Sequence, residues 1–141
     1  MRLAVFDTNV IVSAAIKREC APAKLMMDWL LEGQVQLVTS LWIVAEYREV
    51  VRREKFHRFG FPPLWLEFMI EESLRLPDPE TWPHSVPDSR DAVFLALAYA
   101  AGAWLVTGNL KHFPEATRNG VRVLSPPAYL AHLADGGRPI S

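Results

Sequence analysis

The chain has 141 residues, half of them hydrophobic and 22% charged, with a formal net charge of −1. This suits one globular domain with a single core, and no overall basic charge announces a nucleic-acid partner, although a local patch can do the same work. A single cysteine, Cys20, excludes an intrachain disulfide and a Cys-rich zinc site, and no stretch approaches the roughly 20 apolar residues of a membrane span.

The elements are expected to alternate between strand and helix. Leu3 to Phe6 is a short apolar run, the mark of a strand buried on both faces. The apolar N-terminal region also raises a signal peptide, but Asp7 interrupts it after four residues, so a strand and a cytoplasmic location are expected. Thr8 to Ala15 follows as a helix with Thr8 or Asn9 as its cap, then Ala23 to Leu31 as a second helix with Pro22 before it and Gly33 after it. Val35 to Thr39 is expected as a strand. Ser40 is expected to cap a helix from Leu41 to about Arg53, and another helix is expected over Pro63 to Leu74.

Pro77, Pro79, Pro83 and Pro87 mark an irregular stretch with room for an edge strand or a packed surface turn. Asp88 caps a helix from Ser89 to Ala101, which Gly102 ends. Strands follow over Ala103 to Thr107 and Val121 to Leu124, and Ser125 with Pro126 and Pro127 opens a last helix to about Leu133. This order predicts an α/β/α sandwich in three layers around a mainly parallel sheet of four to five strands. One domain over residues 1–135 and a tail over 136–141 are expected.

Four carboxylates stand at the edges of these elements: Asp7 after the first strand, Glu46 within a helix, and Asp88 and Asp91 at the start of another. Open α/β sheets build their sites at the carboxyl ends of the strands, where Asp7 and Thr107-Gly108-Asn109 fall. Several acids meeting there would call for a divalent cation. Each acid also has a structural reading. Asp7 serves equally as a turn residue, and Asp88 and Asp91 have the spacing of a capping box. Glu46 shares a face with Ile43 and Val50, where a buried carboxylate needs a partner or an opening to water. The histidines, His57, His84, His112 and His132, form no pair at i+3 or i+4, which gives a histidine metal site little support.

Taken together, Val5-Phe6-Asp7-Thr8-Asn9-Val10, Glu46, Asp88-Ser89-Arg90-Asp91-Ala92-Val93-Phe94-Leu95-Ala96-Leu97-Ala98, Leu105-Val106-Thr107-Gly108-Asn109 and Lys111-His112-Phe113-Pro114 resemble the PIN-domain ribonucleases. Within that family they resemble the toxin-like (VapC-like) branch. The resemblance implies a metal-dependent endoribonuclease in which Asp7, Glu46 and Asp91 are catalytic and bind Mg²⁺ or Mn²⁺, leaving 5′-phosphate and 3′-hydroxyl ends. Asn109 stands where many members carry a fourth acid. An amide oxygen can still ligate an ion, but the lost charge weakens a second metal. Asp88 is an outer-shell acid or a cap. Thr8 and Thr107 match positions that arrange the site, and Asn9 matches one that orients Asp7 or a water. By the same resemblance the partners are RNA, an antitoxin protein and a second copy in a homodimer, with Trp29 and the segment 59–68 as candidate contacts and no membrane involved.

Arg48, Arg52, Arg53, Lys55 and Arg58 outnumber Glu49 and Glu54 and give that segment a local charge of +3. It is either a phosphate-binding rim for RNA or a solvated helix end. Trp42, Trp65, Trp82 and Tyr47 are either base-stacking residues or core. Two other readings stand: a PIN fold that binds RNA or protein without cutting, favoured by Asn109, and a phosphohydrolase with Asp7 as nucleophile. The second wants an acid at the position of Asn9.

Overall fold

A computed structural model describes residues 2–16, 29–30, 32–53 and 63–135, without the side chains of 15, 16 and 63–65. The expected helix Ala23 to Leu31 lies almost wholly outside the described residues. So do Cys20, the basic residues Lys55 and Arg58, the segment 59–62, the side chain of Trp65 and the tail 136–141.

Five strands form one sheet: β1 (Arg2–Phe6), β2 (Val35–Ser40), β3 (Leu74–Leu76), β4 (Trp104–Val106) and β5 (Val123–Leu124). Their order is β3-β2-β1-β4-β5, and all four pairings are parallel. The helices are α1 (Thr8–Ile16), α2 (Leu41–Arg52), α3 (Pro63–Glu72), α4 (Ala92–Ala101) and α5 (Pro126–Ala134). Parallel neighbours need crossovers, so helices cover both faces and the three-layer α/β/α sandwich follows. Strand order reverses between β1 and β4, and the crevice at their carboxyl ends is the topological switch point.

The middle of the sheet is the driest part. Ala4, Val5 and Phe6 of β1 and Leu105 and Val106 of β4 are fully buried. Helix α4, apolar nearly all round, packs against β1, β2 and β4. Its buried Phe94, Leu95 and Leu97 each contribute about 1.5–3 kcal/mol by leaving water. The helix stops at Gly102, which adopts the left-handed conformation at φ 66°, while Ala103 N–H returns to Ala98 O at 2.8 Å. Ser125 caps α5 by accepting from Ala128 N, with prolines in the first turn as expected.

Several expected boundaries move. Helix α3 ends at Glu72, and Leu74–Leu76 is the edge strand β3 rather than its continuation. Ser73 makes the break: its N–H and hydroxyl both bond Ile70 O, and its Oγ also lies 2.8 Å from Thr39 Oγ1 on β2. The Ser89 to Ala101 helix begins as a 3₁₀ turn, Ser89–Asp91, before α4. The last strand is shorter than Val121 to Leu124.

Ser40 occupies the cap position of α2 but makes no capping bond. Asp78, from the proline-rich stretch, accepts Trp42 N–H at 2.9 Å instead. That stretch is a packed surface turn. Trp82 is buried within it, donates Nε1–H to Thr117 O at 2.9 Å and meets Tyr99 edge-on at 5.6 Å.

Candidate functional site

Asp7 follows β1 directly, and its N–H bonds Val106 O on β4 at 2.9 Å. The carboxylate is only 5% exposed. Thr107, the residue after β4, donates its hydroxyl to Asp7 Oδ2 at 2.8 Å, and the same Oγ1 accepts Asn109 N–H at 3.0 Å. Burial pushes the Asp7 carboxyl up to about 6. The Thr107 bond opposes that rise, Asp91 adds to it, and the Thr8 backbone and His112 oppose it. An acid that resists ionisation where it stands is an acid short of positive charge.

Asp91 closes the 3₁₀ turn and enters the same electrostatic neighbourhood. Desolvation raises its carboxyl, against the lowering effect of His112. Its Oδ2 is buried without a hydrogen-bond partner and lies 2.9 Å from His112 Nδ1, a contact that is an ion pair only when the imidazole is protonated. Sequence reasoning passed over His112 because it sought histidine pairs along a helix, whereas this partner lies 21 residues away across a crossover. The motif Lys111-His112-Phe113-Pro114 was the available signal.

Asp88 acts as a local cap. It accepts Arg90 N–H at 3.0 Å and pairs with the Arg90 guanidinium at 3.2 Å, so its carboxyl is held low by Arg90. Glu46 is half-buried on α2 beside buried Ile43, Tyr47 and Val50, and forms no hydrogen bond or ion pair among the described residues. Its electrostatic link is to Arg90, whose guanidinium it helps keep charged after the larger effect of Asp88. The structure therefore brings Asp7, Asp91 and His112 together and leaves Glu46 at the border. Among the described residues no three His, Cys, Asp or Glu side chains cluster tightly enough to hold an ion.

The donor set still fits a hard cation: carboxylates, hydroxyls and an amide. Thr8 Oγ1 and Ser40 Oγ are buried without a partner, both at the carboxyl-end rim. Asn9 does not reach Asp7 with its oxygen, which instead accepts Gly108 N–H at 3.0 Å and ties the start of α1 to the loop after β4. Asn109 is half-buried on that loop. Tyr47, fully buried, donates its hydroxyl to Phe6 O at 2.5 Å, so it is core and a brace for the end of β1.

Of the basic residues, Arg48 forms a two-pronged pair with Glu67 of α3 at 2.6 and 2.9 Å, which ties two helices together. Arg52 and Arg53 end α2, with Arg53 exposed. A cleft of about 390 Å³ lies beside the 3₁₀ turn Ser89–Asp91, lined by Trp42, Asp78, Pro79, Ser89, Arg90 and Val93. Trp42 is 36% exposed there and meets Phe94 edge-on.

The fold has known counterparts. VapBC2 from Rickettsia felis, solved bound to a DNA fragment from its promoter, superposes with TM-score 0.61 at 16% identity, over 87% of this chain and 98% of that one. PAE2754 from Pyrobaculum aerophilum gives 0.59 at 15% identity, over 95% and 90%. FitAB bound to an IR36 DNA fragment gives 0.51 at 22% identity, over 87% and 94%. No curated protein matches by sequence. The PIN domain family model matches residues 3–111, which span the sheet from β1 through β4 and every acid described above, and the chain belongs to the PIN domain family.

Proposed function

We propose that this chain is a metal-dependent endoribonuclease, acting as the toxin of a toxin–antitoxin pair. The observation that carries the reading is Asp7, buried, fastened by Thr107 and set beside Asp91 at the switch point. Such an acid is unfavourable alone and useful beside a cation.

Asp7, Glu46 and Asp91 would hold Mg²⁺ or Mn²⁺, with Asn109 as a neutral fourth donor and Asp88 outside them. A bound ion of this kind lowers the pKa of water and offsets charge on a phosphoryl group during in-line attack. The chain's own residues prepare that chemistry. Thr107 fixes the rotation of the Asp7 carboxylate, and Asn9 holds the Gly108 loop against α1. Burial keeps the local dielectric low, so charge placed here acts strongly. Arg53, exposed at the end of α2, and Arg52 before it are the candidate rim for RNA phosphates, and Arg48 pairs with Glu67. The fold likeness to VapBC2 and FitAB supports an antitoxin partner, and a homodimer is proposed from the family resemblance alone.

A second reading has its own support. The open spacing of Glu46 and the neutral Asn109 favour a PIN fold that binds RNA or protein without cutting. An aspartate-nucleophile phosphohydrolase has less, since Asn9 holds Gly108 where a second acid would be needed. The deciding experiment assays purified protein on mixed RNAs with Mg²⁺ or Mn²⁺, with chelator, and as Asp91→Asn. Cleavage that needs the ion and disappears in the variant is expected. Cleavage surviving both treatments overturns the mechanism, and folded, metal-bound protein that cuts no RNA selects the second reading.

A further inference from the structure

We propose that the cleft between the start of α2, the proline-rich stretch and the 3₁₀ turn Ser89–Asp91 is a nucleobase subsite that reads guanine, with Trp42 as its stacking wall and Asp78 as its reader. The proposal rests on the nuclease reading for RNA as the ligand, and on the cleft's own residues for the base.

Among Trp42, Trp82 and Tyr47, only Trp42 stands open. Tyr47 is fully buried, and Trp82 is buried with its Nε1–H spent on Thr117 O. Trp42 is fixed at two points. Its backbone N–H bonds Asp78 Oδ1 at 2.9 Å, and its ring meets Phe94 edge-on at 6.2 Å. An indole held in this way, yet left partly in water, is a preformed surface for a flat ligand. Unpaired bases stack on such surfaces whatever their identity, so Trp42 supplies affinity and not choice.

The choice comes from the polar lining. Asp78 Oδ1 accepts the Trp42 N–H, and Oδ2 has no partner among the described residues. A carboxylate repels phosphates, so in an RNA site it suits a base rather than the backbone. It accepts two N–H groups side by side. Guanine presents two adjacent donors on its Watson–Crick edge, N1–H and the N2 amine. Adenine and cytosine present one amine beside a bare ring nitrogen, and uracil one N–H between two carbonyls. Ser89 and Arg90 line the cleft from a different segment and supply donors for guanine O6 and N7. Arg90 pairs with Asp88 through Nε and one terminal nitrogen, remains exposed and keeps further N–H groups.

Two elements connect the cleft to the acids. Asp91 directly follows Arg90 in the 3₁₀ turn, and Glu46 follows Trp42 by one turn of α2, on the same face of that helix. Arg90 is held in its charged form by Asp88 first and then by Glu46, so the guanidinium stands between the cleft and the helix acid. A nucleotide whose phosphate lies by these acids can place its base against Trp42. That base enters unpaired, because Asp78 reads the edge that a complementary strand would cover.

The test measures binding to labelled oligouridines carrying one central guanosine, inosine or adenosine, by fluorescence anisotropy in chelator. It uses the whole chain as wild type, Trp42→Ala, Trp42→Phe and Asp78→Asn, with circular dichroism and thermal melting to check the fold. Wild type should bind the guanosine RNA about tenfold tighter than the adenosine RNA, with inosine, which lacks the N2 amine, between them. Trp42→Ala should weaken all three about tenfold, and Trp42→Phe should recover most of the loss. Asp78→Asn keeps an acceptor for the Trp42 N–H and should bring guanosine and inosine together. Wild-type affinities within about twofold of one another, including no measurable binding, overturn the subsite. RNA affinity unmoved by Trp42→Ala also overturns it and leaves the cleft to a protein partner. Mn²⁺ added to the same RNAs judges the nuclease reading separately. Cutting without regard to the central base leaves that reading standing and overturns the subsite, whereas guanosine preference without cutting upholds the subsite and defeats the nuclease.

Discussion

The two halves of the carboxyl-end rim are built differently. Where β1 meets β4, Asp7, Asn9, Thr107 and Gly108 bond one another across about 100 residues of sequence, and Asp7 and Thr107 are almost wholly buried. Where β2 runs into α2, Ser40 Oγ is buried without a partner, Glu46 has no bonded partner among the described residues, and Trp42 stands partly in solvent. The cause is topological. Two strands ending side by side at a switch point can satisfy each other's groups. A strand that turns into a helix without a loop has no backbone to spare, which is why the cap on Trp42 comes from Asp78. Each half keeps a buried hydroxyl without a partner, Thr8 Oγ1 in the first and Ser40 Oγ in the second, but only the first bonds its acid in place.

Asp7→Asn tests this contrast most severely. Cleavage should fall about a thousandfold or more if the buried acid is essential. Stability should move the other way. The folded Asp7 pKa, about 6, lies above its ordinary 3.8, so the folded state holds an extra proton between those values. Stability from this group is therefore lost as pH rises through that window and stays lost above it. Without metal, Asp7→Asn should exceed wild type by about 2–3 kcal/mol at pH 7–8, and the gain should vanish near pH 4. Thermal melts across pH check both statements.

Tyr47→Phe cuts the link between the halves by removing the donor to Phe6 O, and should cost about 1–2 kcal/mol in urea denaturation. Asn9→Ala, within the first half, should cost about 1 kcal/mol and loosen amide exchange at Gly108. Ser40→Ala lies in the other half and removes a group with nothing to lose, so its effect should stay within about 0.5 kcal/mol. A large loss there would mean that both halves are equally finished. Arg48→Ala, which breaks an exposed pair with Glu67, should likewise cost less than about 0.5 kcal/mol, falling with added salt.

What the sequence made legible was whatever depended on local pattern. The apolar run ending at Phe6, the glycine stop at Gly102, the caps at Asp88 and Ser125 and the position of Asp7 and Thr107 at strand ends all follow from neighbours in the chain. Features decided across the fold were not legible. Leu74-Arg75-Leu76 continues the composition of the preceding helix, and only pairing with β2 makes it a strand. Arg48 reads as free until α3 brings Glu67 to it. His112 reads as solitary until the crossover into β4 carries it to Asp91.

The sheet's two outer strands carry a further implication, for behaviour in concentrated solution. Strand β5 is two residues long, and β3 is three, with exposed Arg75 at its centre and Pro77 immediately after it. An edge strand is a template for another chain's backbone, and such pairing is blunted by brevity, charge and proline. The apolar strands most capable of self-association, β1 and β4, have neighbours on both sides. The fold thus shields its most adhesive backbone in the middle of the sheet and presents short, interrupted edges to other copies.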